Sequence, residues 1–109
     1  MNYHVTILPR AKSQLLAQAE WWATNRSVDQ ALRWLAGFEQ VLESLSENPD
    51  RCSVARENDA FEAVIRELHY GLRNKFTHRA VFEIREDEVI VYAIRHLAQN
   101  DLTPNDLLS

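Results

Sequence analysis

The sequence has 109 residues, 46% hydrophobic and 26% charged, with a formal net charge of −4. That length suits one domain spanning residues 1–109 with room for an ordinary core, and the balance excludes a disordered chain. A lone cysteine, Cys52, excludes an internal disulfide and fits a reducing compartment. No apolar run reaches the roughly 18 residues of a membrane helix. The first residues lack a secretory pattern, so the expected location is the cytoplasm, with no membrane partner.

Tyr3, Val5 and Ile7 alternate with other residues, which predicts a short strand over residues 3–8. Pro9 follows, suited to the first turn of a helix because its missing N–H would be unpaired there anyway. Ala11, Leu15, Ala19, Trp22 and Ala23 recur at helical spacing, predicting an amphipathic helix over residues 9–24 with Trp21 off its apolar stripe. Ser27 is an N-cap, with Gln30 in capping-box position. Ala31, Trp34, Leu35, Phe38, Val41, Leu42 and Leu45 then give the strongest periodic signal, a helix over residues 28–46 ended by Asn48-Pro49. Gly37 inside it costs about 1 kcal/mol against alanine and suits close packing. The short connection makes the two helices an antiparallel hairpin.

Residues 50–60 are polar and unpatterned, a surface loop. Residues 64–70, 76–84 and 89–95 read as three antiparallel strands, rich in Val, Ile, Phe and Tyr. The unbroken run Val89 to Ile94 suits a central strand. Arg85-Glu86-Asp87-Glu88 has no glycine, so a loop of three or four residues is expected there. That register sets Ile84 against Ile90, Phe82 against Tyr92 and Ala80 against Ile94. It brings His78 to His96 and Arg79 to Arg95. Phe38 and Leu42 are expected to pack on Phe82 and Ile90. The tail after His96 is expected to be loosely held. The fold class is α+β: an N-terminal strand, a two-helix hairpin, then a three-stranded antiparallel meander, with the helices on one sheet face.

The chemistry is sparse. With two glycines there is no phosphate loop, and no Cys/His spacing suggests zinc, so no cofactor or metal is expected. The acidic balance argues against general nucleic-acid binding. Residues 66–79 nevertheless hold Arg66, Arg73, Lys75 and Arg79 against one acid, Glu67. The candidate site is the basic and imidazole set Arg66, His78, Arg79, Arg95 and His96. It suits either phosphate chemistry, with a histidine moving a proton, or arginines forking onto a partner's carboxylates. The bland alternative places His78 and His96 at strand ends and pairs Arg79 with Glu67 or Glu83. Trp21 and Trp22 exceed what a chain this small readily buries, which points to an apolar groove for a partner.

The hairpin HRAVFEI, a short acidic loop, then VIVYAIRH resembles the closing hairpin of the RelE/ParE toxin superfamily, and the likeness covers most of the chain. The resemblance implies a toxin of a type II toxin–antitoxin pair. Arg79 falls on the arginine of the family's strand motif, an active-site residue in ribonuclease members. Arg66 falls on the arginine common in the preceding strand, and His96 on the terminal histidine of ParE-like members. The basic run that follows in ParE-like members is replaced by Leu97-Ala98-Gln99-Asn100. The lysines and distal arginine of the ribonuclease set are replaced by Glu67 and Gln99. The histidine of relatives with a terminal His-Tyr pair lies one residue later. The resemblance therefore implies a ParE-like growth inhibitor that binds DNA gyrase and is neutralised by an antitoxin. The alternatives are a RelE-like mRNA endonuclease acting at the ribosome, with Arg79 and His96 catalytic, or a non-toxic antitoxin-binding member. A homodimer and a toxin–antitoxin hetero-oligomer both stay open.

Overall fold

The computed structural model describes residues 2–72 and 75–107. Arg73, counted in the basic stretch, lies outside the described residues, as does Leu108 of the tail. Strand β1 (His4–Ile7) leads into helix α1 (Pro9–Asn25), and α2 (Val28–Glu43) runs back beside it. Strands β2 (Ile65–Tyr70), β3 (His78–Arg85) and β4 (Glu88–His96) complete one four-stranded sheet, in the order β1-β4-β3-β2.

β2, β3 and β4 form the expected antiparallel meander. The sheet as a whole is mixed, because β1 pairs with β4 in parallel, Val5 opposite Val89 and Ile7 opposite Val91. The chain between these two parallel neighbours carries the helical hairpin, β2 and β3, so the hairpin takes the chain to the far edge of the sheet and the meander brings it back beside β1. β4 thus sits inside the sheet, as its unbroken apolar run requires.

The helices form where the sequence places them. Pro9 occupies the first turn of α1. The Gln30 N–H donates to Ser27 Oγ at 3.1 Å, capping α2. Glycine at position 37 is needed for contact: a Cβ there would lie 2.2 Å from Tyr70 Oη, whose hydroxyl donates to the Trp34 carbonyl at 2.9 Å.

The hairpin between β3 and β4 departs from the expected one. Arg85 pairs with Glu88, so the turn has two residues, Glu86 and Asp87, and Glu86 takes φ 57°. Near the turn Ile84 faces Val89 and Phe82 faces Val91, one residue off the expected register. A bulge between Val81 and Phe82 makes Tyr92 the extra residue of β4, and Ala80 then meets Ile94 as expected. The core follows. Phe38 and Leu42 pack in one buried cluster with Phe82, Val89 and Val91 rather than with Ile90.

The opposite sheet face is covered too. Residues 50–60 are not a plain surface loop. The Ala55 N–H donates to the Ile65 carbonyl at 2.8 Å, and the Glu67 N–H to Ser53 at 3.0 Å, both along the outer edge of β2. The tail is held as well: Leu102 is buried with Ala55, Ile65, Val81 and Ala93 in a second core. Both features escape a periodicity reading, because single apolar residues in irregular chain carry no pattern.

Candidate functional site

Strand alternation sorts the candidate residues onto two faces. His78 and His96 lie on the helix side, opposite each other in register, with ring centroids 5.0 Å apart. Arg79 and Arg95 also face each other, on the other side. The bulge at Tyr92 puts His96 beside His78, since it changes which residues beyond it face the helices.

His78 is held on both ring nitrogens. Gln18 Oε1 lies 3.0 Å from Nε2 and Thr77 Oγ1 lies 2.7 Å from Nδ1. An amide oxygen only accepts, so Nε2 donates and Nδ1 accepts from the hydroxyl. Burial, and then the neighbouring His96, push the His78 pKa down to about 4, which keeps the ring neutral. Trp34 stacks edge-on against it at 5.0 Å. His96 is exposed, and its Nδ1 accepts the Ala98 N–H at 3.0 Å, which leaves the ring proton on Nε2. Gln99 Oε1 accepts the His96 N–H at 2.7 Å, so its amide nitrogen is turned away from that bond.

These residues border a hollow of about 410 Å³ together with Gln18, Trp21 and Trp22. The two tryptophans meet edge to face at 5.4 Å, Trp21 48% exposed and Trp22 half-buried against the core. The Trp22 indole N–H finds no acceptor among the described residues. The pair predicted as a partner groove and the imidazoles predicted as target-binding therefore share one hollow.

The arginines do not join them. Arg79 is fully buried, and its guanidinium forks onto Glu57 at 2.7 and 2.5 Å and reaches Glu67 at 3.2 Å. Burial alone would raise the Glu57 pKa. The Arg79 hydrogen bonds and the Leu102 N–H, 2.8 Å away, outweigh it and bring the carboxyl to about 2. Arg79 thus clamps the loop and the tail onto the sheet and presents no charge at the surface. Glu67 was foreseen as a partner in the bland reading; Glu57 was not, because it lies in unpatterned chain. Glu83 instead accepts from the Tyr92 hydroxyl at 2.6 Å. Arg66 donates to the Cys52 carbonyl at 2.7 Å, and Arg95 to the Asn100 carbonyl at 2.5 Å. Both are half-buried and tie irregular segments to the sheet. Burial pushes the Cys52 thiol pKa up, as for an inert packing residue. Among the described residues no three His, Cys, Asp or Glu side chains group to hold a metal. No described helix is long and apolar enough to cross a membrane.

Residues 5–101 match the family model described as the ParE toxin of the type II toxin-antitoxin system, parDE. The chain belongs to the ParE toxin family. A solved chain titled "Chromosomal ParDE TA system from P. aeruginosa" is similar in fold, with a TM-score of 0.69 at 14% identity, covering 86% of this chain and 95% of that one. No curated protein matches the sequence. The ParE fold seen here is a sheet carrying two unlike surfaces. One is the hollow beside the helices. The other is closed by a loop and tail pinned through Arg79.

Proposed function

We propose that this ParE-family toxin inhibits growth in the bacterial cytoplasm by binding a target, DNA gyrase by family likeness, and that a cognate antitoxin neutralises it. One observation favours binding over RNA cleavage: Arg79, the motif arginine, is buried in an ion pair with Glu57. Cleavage needs a cation at the scissile phosphate and a histidine free to move a proton. In this fold Arg79 is committed to carboxylates and His78 is neutral and bonded at both nitrogens. His96 alone is exposed, and without a cationic partner it suits contact more than catalysis. The hollow around His96, Trp21 and Trp22 is then the recognition surface; Arg95 holds the Asn100 carbonyl next to its lining residue Gln99, and Arg66 serves the separate segment at Cys52.

Induced expression tests this reading, with primer extension on cellular mRNA and a gyrase supercoiling assay on the purified protein. The expected result is inhibited supercoiling and intact mRNA. Codon-phased cuts that vanish in His96→Ala, with supercoiling untouched, would establish the RelE-like endonuclease instead. Normal growth with retained antitoxin binding would mark a non-toxic member.

A further inference from the structure

The two edges of the sheet are covered unequally. The outer edge of β2 is taken up by the loop before it, through the bonds of the Ala55 and Glu67 N–H groups. The outer edge of β1 is covered only at its start, where Asn2 bridges Glu47 and the Tyr3 N–H donates to the Ser46 carbonyl at 2.7 Å. In a parallel pair each residue turns both its backbone groups to one side, and the side alternates along the strand. His4 donates to the Asp87 carbonyl at 2.8 Å and Leu8 to the Val91 carbonyl at 3.1 Å, so His4, Thr6 and Leu8 bond to β4. Val5 and Ile7 therefore turn N–H and C=O outward, and none of these groups has a partner among the described residues. Edge strands are commonly guarded by a charge, a proline or a bulge. His4–Ile7, HVTI, is short but has no acid, lysine, arginine, proline or bulge.

We infer that this edge is a self-association site: β1 of a second copy of the chain pairs with it antiparallel, about a two-fold axis centred on Thr6, and joins two sheets into one. In that register Val5 faces Ile7 of the second copy, and Ile7 faces its Val5. Each pair exchanges both backbone bonds, so every outward group of the two residues is satisfied. Other registers waste bonds. A shift one way sets Ile7 against Tyr3, whose N–H is already engaged; a shift the other way sets Val5 against Pro9, which has no N–H. Thr6 meets Thr6 across the axis, a neutral pair with its side chains close together. The ends select a second copy over a longer foreign strand. Each chain leaves the sheet at Pro9 to begin α1, at the level where Ser46 takes up the edge of the other copy. A strand that ran on would collide with Ser46 and Glu47. The axis stands perpendicular to the sheet, so both helical hairpins and both hollows beside His96 lie on one side. An interface this short is a weak one, monomeric when dilute and dimeric when concentrated.

Amide exchange and sedimentation equilibrium on the full native chain test this, from low micromolar to near-millimolar concentration. The mass is expected to rise from one chain toward two. Exchange of the Val5 and Ile7 N–H groups should slow at least tenfold over that range, while His4, Thr6 and Leu8 stay protected throughout. Crosslinking fixes the register. In a Cys52→Ser background, Thr6→Cys should give a disulfide-linked dimer under oxidised glutathione, because residues directly opposite in a non-hydrogen-bonded pair lie within disulfide reach. Leu16→Cys, on exposed α1 surface, should not. Melting curves verify that each variant folds, and the native chain decides alone if Thr6→Cys does not. A single-chain mass at the highest concentration, or Val5 and Ile7 amides that exchange alike throughout, would overturn the proposal. Crosslinking through Leu16→Cys in place of Thr6→Cys would also overturn it and move the contact to the helices. Protection of Val5 and Ile7 that requires the product of the adjacent antitoxin gene would overturn the second copy as occupant and assign the edge to that protein.

Discussion

Arg79 and Glu57 form a bidentate ion pair at 2.5 and 2.7 Å, with side chains 0% and 3% exposed. One comes from the middle of the sheet and the other from a loop with no sequence pattern. Removing either partner strands a buried charge, which costs about 3–5 kcal/mol. Arg79→Met and Glu57→Gln are each expected to lower stability by that amount in urea unfolding. The double replacement by methionine should recover much of it, since the Glu57 charge leaves with Arg79 and Glu67 keeps the Arg56 N–H and His69 as partners. Single variants as stable as the native chain would show that the pair does not fasten the loop.

Stability should also fall in acid, in two stages. The His78 pKa drops from 6.5 to about 4 on folding, so folding favours the neutral ring. That contribution is complete above pH 6.5 and fades as the pH falls through about 4. At about 1.4 kcal/mol per pH unit it amounts to about 3 kcal/mol. Glu57 goes from 4.5 to about 2, so its share is complete above pH 4.5 and is lost toward pH 2. Urea midpoints measured from about pH 7 downward should decline first through the histidine range and then more steeply. His78→Gln should remove the first stage and keep the second. A first stage unchanged in that variant would reassign it to another group.

Gly37 gives a third expectation. Alanine normally strengthens a helix interior by about 1 kcal/mol. Here its Cβ would lie 2.2 Å from the oxygen of a buried, hydrogen-bonded tyrosine. Overpacking of that kind costs about 1–3 kcal/mol, so Gly37→Ala should destabilise on balance. Adding Tyr70→Phe removes the clashing oxygen and should recover most of the loss. A melting temperature raised by Gly37→Ala alone would mean that Tyr70 yields freely.

The regular elements were legible because their physics is local. Pro9, Ser27 and the spacing of Trp34, Phe38 and Leu42 each report on their own helix. The pairing of His78 with His96 was legible as well, though by a route the sequence conceals. Two departures cancel: a turn shorter than expected, tolerated by Glu86 at positive φ, and a bulge that returns the register. Parallel pairing of β1 with β4 depends on where a crossover lands, which no local pattern records. Arg79 was legible as a residue of consequence but not as a clamp. Its partner Glu57 lies 22 positions away in irregular chain.

The tail supplies the last expectation, by contrast between two neighbours. Leu102 is buried beside Val81 and Ala93, and its N–H donates to Glu57. Asp101, one residue earlier, pairs with Arg56 at 2.8 Å, but both side chains are well exposed to solvent. An exposed ion pair is worth at most about 1 kcal/mol, because water and salt screen it. A buried leucine cut to alanine costs about 2–5 kcal/mol through lost burial and the cavity left behind. Leu102→Ala should therefore lower the urea midpoint markedly, whereas Asp101→Ala should barely move it. Amide exchange should report the same difference. In Leu102→Ala the protection of Ala55 and Glu67 should fall, because their N–H groups bond along the edge of the segment the tail holds down. If protection there were unchanged while overall stability fell, Leu102 would contribute packing alone and the strap would not hold the loop.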